Sequence, residues 1–518
     1  MLVLIPPARS YSMIDDWAYA RSVQDILNGI FTPHEWVEAN AFGHNLVGAL
    51  FASLFGYSFT TLTAATLFMS AACISLLYLL LRQLDVAPAL ALWGSAVLAL
   101  NPLYLHLSYS FMTDVTFFVY MLAALLCYVR GMKGYGAGWL WLGSIAASLA
   151  FLTRQFGLLL LIVALVYLWW SRNWTWRRAL AIAAIPVAAM SIYLLWDQTL
   201  PTRLVAYTLE DSRRYSATDP MRYIMWRGQG LVWALTTVGM CLLPLAWLPR
   251  RPILTLPALG FVLFFQAKSM LVNGTISPQN GNILSHAGML MYHYYAAPVW
   301  VEWVWLILGL LGGLLAALYV TSCLEQLWQW LREKPWRTRS EDPAAMLYLL
   351  GFMMVGILLV FTPSIFDRYW LALFPILIVA AARRRSQTHV EGRQSNLRWS
   401  WALLVPVALF AILAQRDYQA HATARWQGAE QLAAQGIPRR QIDAGYEWAG
   451  WYLFDEGAAH IRAEHKFVNI TFPGYALLDP VYLVSDIEIP GYTQVNSLSY
   501  TSWLNGGQER NVLILKRE

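Results

Sequence analysis

The sequence predicts a polytopic α-helical membrane protein that ends in a small soluble α/β domain. Of its 518 residues, 58% are hydrophobic and only 13% are charged, and a soluble protein of this length carries about twice that charged fraction. Long apolar segments recur between residues 62 and 415, whereas residues 416–518 return to soluble composition. The 26 Trp and 27 Tyr residues cluster at segment ends, as expected at the lipid headgroup level. We therefore divide the chain into regions 1–61, 62–415 and 416–518.

Region 1–61 contains two amphipathic segments that are too polar or too short to cross a bilayer. Residues 12–36 begin with the adjacent carboxylates Asp15 and Asp16 and carry apolar residues such as Trp17 on one side. We expect this side to face the membrane, with residues 44–56 forming a second surface helix. A carboxylate pair at the membrane surface suggests chemistry there. The alternative is that Asp15 caps the helix and Asp16 favours its positive end.

Region 62–415 predicts twelve membrane-spanning helices. Their approximate bounds are 62–83, 88–106, 112–130, 139–153, 155–171, 179–197, 229–248, 252–270, 298–322, 344–363, 368–383 and 399–415. The segment 139–170 is long enough for one helix, but that reading would move Arg172, Arg177 and Arg178 to the opposite side of the membrane. We therefore expect a tight hairpin with Arg154 at its tip.

Basic residues in the loops predict the orientation of the chain. They gather on one side, which the positive-inside rule makes cytoplasmic; the side includes Arg82, Arg130, Lys133, Arg172, Arg177, Arg178, Arg250, Arg251, the run 332–339 and Arg383 to Arg385. Residues 12–36, Asp114, Arg154, Arg368 and the C-terminal domain then face outward from a plasma (inner) membrane. An outward N-terminus leads us to expect a further helix ahead of Met1; the alternative is that the short N-terminus crosses by itself.

Ionisable residues at the ends of spans are the candidate site residues. Asp114 opens a span, where a charge is rare enough to suggest function, although a helix N-cap is the alternative. Arg154 lies between two apolar spans, where snorkelling to the interface is the alternative. Arg368 opens a span and has the same alternative as Arg154, with Asp367 as its surface ion-pair partner, and Lys268 lies near the outer end of another span.

These residue types fit the transfer of a sugar from a polyprenyl phosphate carrier. A carboxylate takes the proton from the acceptor hydroxyl, and cations stabilise the departing phosphate during backside attack. A phosphate leaving group needs no general acid. The sequence also lacks a Gly-rich nucleotide-binding motif, which this donor would not require.

The chain resembles glycosyltransferases of the GT-C superfamily, in particular the protein O-mannosyltransferases and the lipid A aminoarabinose transferases. The resemblance lies in Asp15-Asp16, where the family has an acidic pair, and in collinear motifs over residues 11–380. These motifs are HNLVGALFASLFGYS (44–58), SFMTDVTFF (110–118), LTRQFGLLL (152–160) and DRYWLALFP (367–375). The segment DAGYEWAGWYL (443–453) resembles the soluble tail of a bacterial branch of this group.

The resemblance implies the GT-C fold and a role for each candidate residue. Asp15 would be the catalytic base, with Asp16 adjacent and Asp114 positioning the acceptor or a divalent cation. Arg154 and Arg368, with Tyr369 and Lys268, would hold the lipid phosphate. No cofactor is certain, and a metal ion held by Asp114, His286 and His293 stays open. The family's first span is absent here, and the pair is Asp-Asp where Asp-Glu is the commoner form, which leaves the identity of the base less defined.

Region 416–518 predicts a helix over 424–435 and strands over FVNITF (467–472), PVYLVS (480–485) and NVLILKR (511–517). We expect a small α/β domain outside the membrane. It either lies over the site and helps to select the acceptor or serves as a passive stabilising domain.

The expected partners are a polyprenyl-phosphate sugar, a lipid, glycan or protein acceptor, and membrane lipids. Nucleic acid is not expected, because the basic residues lie in short loops between spans. A lipid-linked glycan flippase or transporter is the main alternative, but the sequence shows no inverted repeat and little charge within the spans. A glycan ligase resembling the O-antigen ligases would share the carrier and the fold, with the arginine-containing loop 198–228 as a candidate for its outer loop.

Overall fold

The structure is a computed structural model, which describes residues 3–207, 218–245, 252–273, 283–289, 297–332, 342–360, 365–390, 397–465 and 472–518. It is mainly helical, with a small sheet near the C-terminus. The helices are α1 Asp16–Leu27, α2 Phe42–Phe55, α3 Phe59–Gln83, α4 Pro88–Ala99, α5 Pro102–Ser108, α6 Thr113–Met132, α7 Gly138–Thr153, α8 Leu158–Trp170, α9 Trp176–Asp197, α10 Pro220–Cys241, α11 Thr255–Asn273, α12 Glu302–Arg332, α13 Ala344–Val360, α14 Asp367–Trp370, α15 Phe374–Val390, α16 Leu397–Ala434 and α17 Tyr446–Ala463. The strands are β1 Ile442–Asp443, β2 Tyr482–Ser485, β3 Tyr492–Ser502 and β4 Gln508–Arg517.

The prediction of a polytopic helical membrane protein is confirmed. Within the described residues, six helices are long and apolar enough to cross a membrane, namely α3, α6, α9, α11, α12 and α16. A seventh span arises if the bent pair α4 and α5 counts as one, and α7, α8 and α13 are shorter apolar helices. The number of twelve spans therefore stays a prediction. The hairpin between α7 and α8 is present, with Arg154 in extended conformation at its tip (φ −146°, ψ 141°).

Two predicted spans are broken rather than continuous. The span 88–106 bends by 67° between α4 and α5, because Pro102 lacks an N–H and the side chain of Asn101 caps the new helix. The span 368–383 consists of the short α14, a 3₁₀ turn over Leu371–Leu373 and then α15. This break places Arg368 and Tyr369 in a helical turn of their own.

The expectation that the apolar side of residues 12–36 faces the bilayer is wrong for its first turns. Ile14 and Trp17 are fully buried inside the protein. The Trp17 ring lies 5.2 Å from both His34 and Phe454, and Phe454 belongs to α17 of the C-terminal domain. Helix α2, in contrast, exposes a stripe of large apolar residues and buries its small residues, as predicted for a surface helix.

The C-terminal domain is continuous with the membrane region. Helix α16 runs through the predicted boundary at residue 415, so the last predicted span and the predicted helix 424–435 are one helix. The sheet has the order β1-β2-β4-β3, with β1 parallel to β2 and the other pairs antiparallel. The strands expected at 480–485 and 511–517 are present as β2 and β4, whereas residues 467–471 lie outside the described residues. Strand β3 was not predicted.

Loops predicted to share one side of the membrane contact one another. On the side of the C-terminal domain, Arg203 donates a hydrogen bond to the Val37 carbonyl at 2.7 Å. Arg510 of β4 donates to the carbonyl of Pro298 at 3.3 Å. Among the basic loops, Lys133 lies 2.9 Å from Asp85. The grouping of loops inferred from charge therefore agrees with the fold.

Candidate active site

The fold separates the adjacent carboxylates Asp15 and Asp16. Asp16 is fully buried, and one oxygen lies 2.5 Å from Nη2 of Arg9. The same carboxylate accepts hydrogen bonds from the N–H groups of Met13 at 2.7 Å and Phe111 at 3.1 Å. Since both oxygens are engaged inside the protein, the geometry argues against the expected catalytic role of Asp16. Asp16 instead connects the N-terminal segment to the loop that precedes α6.

Asp15 points in a different direction from Asp16, because successive residues at the start of a helix lie about 100° apart around its axis. Its side chain keeps 26% exposure, and Oδ2 lies 3.5 Å from Nη2 of Arg368. Oδ1 accepts a hydrogen bond from the Tyr446 hydroxyl. Asp15 occupies the N-cap position of α1 but makes no capping hydrogen bond with its side chain. The side chain of Asp15 therefore does not cap helix α1, which was the alternative role for this residue.

Asp114 and Arg154 form a second ion pair, and Asp114 is close enough to Arg368 to interact with it electrostatically. Nη1 of Arg154 lies 3.0 Å from Oδ1 of Asp114 and 3.2 Å from the hydroxyl of Thr113. The second carboxylate oxygen of Asp114 is buried without a hydrogen-bond partner. Met112 occupies the N-cap position of α6, so the capping alternative for Asp114 is not seen either. A buried orphan oxygen is costly, which suggests that a bound molecule satisfies it.

Tyr369 lies between the two arginines. Its ring centre is 5.7 Å from Cζ of Arg154 and 5.4 Å from Cζ of Arg368, distances at which a guanidinium interacts with an aromatic ring. The side chain of Arg368 is only 9% exposed, and its Nε and Nη1 are buried without partners. Asp367 instead accepts hydrogen bonds from the N–H groups of Ile283 and Leu284. The orphan N–H groups of Arg368 suit the oxygens of an anion.

Two residues near this group escaped the sequence reasoning. The carboxylate of Glu38 is close enough to Arg368, Asp15 and Arg154 to interact with them electrostatically. Burial raises the pKa of Glu38, while Arg368 opposes the rise. The stretch 33–43 contains two acids, Glu35 and Glu38, and its local pattern gave no signal that singled out Glu38. Tyr446 lies within segment 443–453, which resembles the soluble tail of the family. Nothing in the sequence of that segment indicated a contact with Asp15. Burial and the nearby Asp15 raise the pKa of Tyr446 well above its usual value, so its hydroxyl stays protonated.

The remaining candidates are not brought into this group. Lys268 lies over the Phe265 ring at 5.8 Å, and no ion pair in the described part of the chain joins it to Asp15 or Asp114. His286 belongs to the loop near α12, where burial lowers its pKa, and His293 lies outside the described residues. No group of three or more His, Cys, Asp or Glu side chains among the described residues could hold a metal ion. Among the described residues, Asp114 pairs with the cation Arg154 and forms no cluster of metal ligands with His286.

Residues 40–196 match the family model described as dolichyl-phosphate-mannose-protein mannosyltransferase. A comparison with curated proteins found no match. Among solved structures, ArnT from Cupriavidus metallidurans is 13% identical, both in the apo state and bound to undecaprenyl phosphate. These alignments cover 99% of this chain and 96% of ArnT, with TM-scores of 0.48 and 0.47.

The archaeal oligosaccharyltransferase AglB from Archaeoglobus fulgidus, in complex with an inhibitory peptide and a dolichol-phosphate, is 15% identical. The alignment covers 92% of this chain and 66% of AglB, with a TM-score of 0.42. The family match includes Asp114 and Arg154 and agrees with the collinear motifs. Over residues 40–196, the chain is therefore similar to the dolichyl-phosphate-mannose-protein mannosyltransferase family.

Proposed function

We propose that the protein is an inverting glycosyltransferase that moves a sugar from a polyprenyl phosphate carrier to an acceptor hydroxyl. The observation that carries this proposal is the pairing of Asp15 with Arg368. Asp15 is a partly exposed carboxylate, and Arg368 beside it has buried N–H groups without partners. The site thus supplies both a base for the acceptor hydroxyl and an anion site for the leaving phosphate, the two groups that displacement of a phosphate from a sugar uses.

In the proposed reaction, Asp15 takes the proton of the acceptor hydroxyl. The acceptor oxygen forms a bond to the anomeric carbon from the face opposite the phosphate. The anomeric C–O bond to the phosphate breaks, and its electron pair leaves with the phosphate. Arg368 binds the departing oxygens, and backside attack inverts the anomeric centre. The protein supplies positioning and charge, so no cofactor enters the balance.

Arg154 and Tyr369 complete the proposed phosphate site. Asp114 holds Arg154 at 3.0 Å, and the Tyr369 ring lies between the two guanidinium groups. The unpartnered oxygen of Asp114 remains available to an acceptor or sugar hydroxyl. Lys268 is left out of the proposed site because it contacts none of these groups in the described part of the chain.

We place the reaction at the outer face of a plasma (inner) membrane. The sequence predicts that the basic loops lie on the side opposite Asp15 and the C-terminal domain, and basic loops are retained in the cytoplasm. The acceptor would be a lipid, a glycan or a protein that reaches this face. An apolar carrier would approach Arg368 from the bilayer, where α2 exposes its apolar stripe.

The test is sugar transfer by the purified protein in detergent or liposomes, with radiolabelled polyprenyl-phosphate sugars as donors and nucleotide sugars in parallel. We expect transfer from the lipid-linked donor only, with inverted configuration in the product, and its loss in Asp15→Asn and Asp114→Asn. Movement of the carrier across vesicles without transfer would instead establish a flippase. Transfer of a preassembled glycan would establish a ligase.

Replacing Arg368 with glutamine should lower kcat/KM for the lipid-linked donor by about 100-fold to 1000-fold, since the variant loses a charged donor to the leaving phosphate. Arg368→Lys should recover part of this loss, because it keeps the charge but not the planar fork. The measurement is the initial rate against donor concentration.

Arg517→Gln is the matched control, because Arg517 forms an exposed ion pair with Asp479 at 2.9 Å in the C-terminal domain. It should transfer at the parent rate. An unchanged donor kcat/KM in Arg368→Gln would remove Arg368 from the phosphate site.

A further inference from the structure

The catalytic carboxylate proposed above is held by a residue of the C-terminal domain. The hydroxyl of Tyr446 donates a hydrogen bond to Oδ1 of Asp15, although the two residues are 431 positions apart in the chain. Oδ2 of the same carboxylate faces Arg368. The two oxygens of Asp15 therefore face different environments, one in the C-terminal domain and one toward the phosphate site.

Tyr446 is itself fixed in place by neighbours from two other parts of the chain. Nε1 of Trp36 donates a hydrogen bond to its hydroxyl at 2.7 Å. The Tyr446 ring lies 4.4 Å from the Phe472 ring, and the side chain is half-buried against these groups. A side chain held by a hydrogen bond and by ring packing keeps a single rotamer, which is what a precise support requires.

The start of α17 is also locked to the rest of the protein. Gly445, directly before Tyr446, has a φ of +96°, which a residue with a Cβ rarely adopts. A Cβ there would lie 2.7 Å from Nη1 of Arg425 in α16. Arg425 in turn forms a buried ion pair with Glu447 at 2.9 Å. The turn that presents Tyr446 is thus attached to the same helix that continues into the membrane region.

We infer that Tyr446 is a positioning residue for Asp15. Its hydroxyl fixes the rotation of the carboxylate so that Oδ2 faces the space beside Arg368, where the acceptor hydroxyl and the anomeric carbon must meet. The C-terminal domain then completes the active site and is more than a passive cover. This inference rests on the proposed function, because it assigns Tyr446 to the transfer reaction.

Tyr446→Phe tests the inference by removing one hydroxyl and leaving the ring. We expect kcat for transfer to fall by about 10-fold to 100-fold, as is common when the residue that orients a reactive group is lost. The donor KM should stay within about twofold of the parent, because Tyr446 does not contact the phosphate site. The measurement is kcat and KM in steady-state transfer, with the melting temperature followed in the same detergent.

Tyr452→Phe is the matched control. Tyr452 lies on the same helix α17, and its hydroxyl also donates to a carboxylate, that of Glu430, at 2.5 Å. Both variants lose a hydrogen bond that a tyrosine of the C-terminal domain donates to a carboxylate. Only Tyr446→Phe loses the one to Asp15. Tyr452→Phe should keep the parent kcat. An equal fall in both variants would show a general effect on the domain and overturn the inference.

Trp36→Phe tests whether the hydrogen bond from Trp36 holds the Tyr446 hydroxyl in position. It removes the indole N–H that donates to the Tyr446 hydroxyl, so kcat should fall less than in Tyr446→Phe. The double variant should be no slower than Tyr446→Phe alone, because residues that act as a unit are not additive. Fully additive losses would contradict a chain of support from Trp36 through Tyr446 to Asp15.

The outcomes separate this inference from the proposed function. If the parent transfers sugar and Asp15→Asn does not, the proposed function stands. A parent-like kcat in Tyr446→Phe would then overturn the inference alone, and an increased kcat would show that Tyr446 blocks Asp15 rather than supporting it. If the parent transfers from none of the lipid-linked donors, the proposed function fails and the inference fails with it.

Discussion

Replacing Asp15 with asparagine is expected to abolish sugar transfer while the protein stays folded. Asparagine has nearly the same shape and can still accept the hydrogen bond from Tyr446, but it cannot take a proton from the acceptor. Loss of a general base typically lowers kcat by about 100-fold to 10,000-fold. The measurement is transfer of radiolabelled sugar under single-turnover conditions, so that product release does not mask the chemical step.

Asp25→Asn is the control for this variant. Asp25 lies on the same helix α1, but its neighbours are Arg21 and Asp455 at the surface. Its replacement should leave transfer at the parent rate. Retained transfer in Asp15→Asn, with a melting temperature equal to that of the parent, would remove Asp15 from the chemistry and point to Glu38 as the next carboxylate to test.

Replacing Asp16 with asparagine is expected to destabilise the protein rather than change its chemistry directly. The variant leaves the guanidinium of Arg9 buried without its counter-charge, and breaking one partner of a buried pair costs about 3–5 kcal/mol. Arg9 also donates hydrogen bonds to Thr63 and to the carbonyl of Tyr11, so it stays in the interior. The measurement is thermal unfolding in detergent, together with the yield of folded protein.

The double variant Arg9→Gln/Asp16→Asn provides the comparison, because it removes both charges. It should be destabilised by less than the sum of the two single variants, since the energy of the pair is lost only once. An Asp16→Asn protein of parent-like stability that no longer transfers sugar would return Asp16 to the catalytic residues.

The sequence alone was sufficient for the features that depend on local pattern. Length and apolar composition predicted the membrane-spanning helices, and the basic loops predicted the hairpin at Arg154 because charge avoids the membrane interior. The arginine candidates Arg154 and Arg368 followed from the same rule, and the structure brings both guanidinium groups within about 6 Å of the Tyr369 ring centre, at 5.7 and 5.4 Å. Strands β2 and β4 also followed from short apolar runs.

The tertiary structure decided which of these residues meet. Asp15 and Asp16 are equivalent in the sequence, but helix α1 turns one toward Arg368 and the other into a buried pair with Arg9. Lys268 has the charge of a phosphate-binding residue, yet its helix places it over Phe265. Tyr446 reaches Asp15 only because α16 carries the C-terminal domain back over α1. The contacts of Asp15 with Arg368 and Tyr446 join residues hundreds of positions apart. The pattern of a local segment indicates which of its residues are buried but not which distant residues they contact.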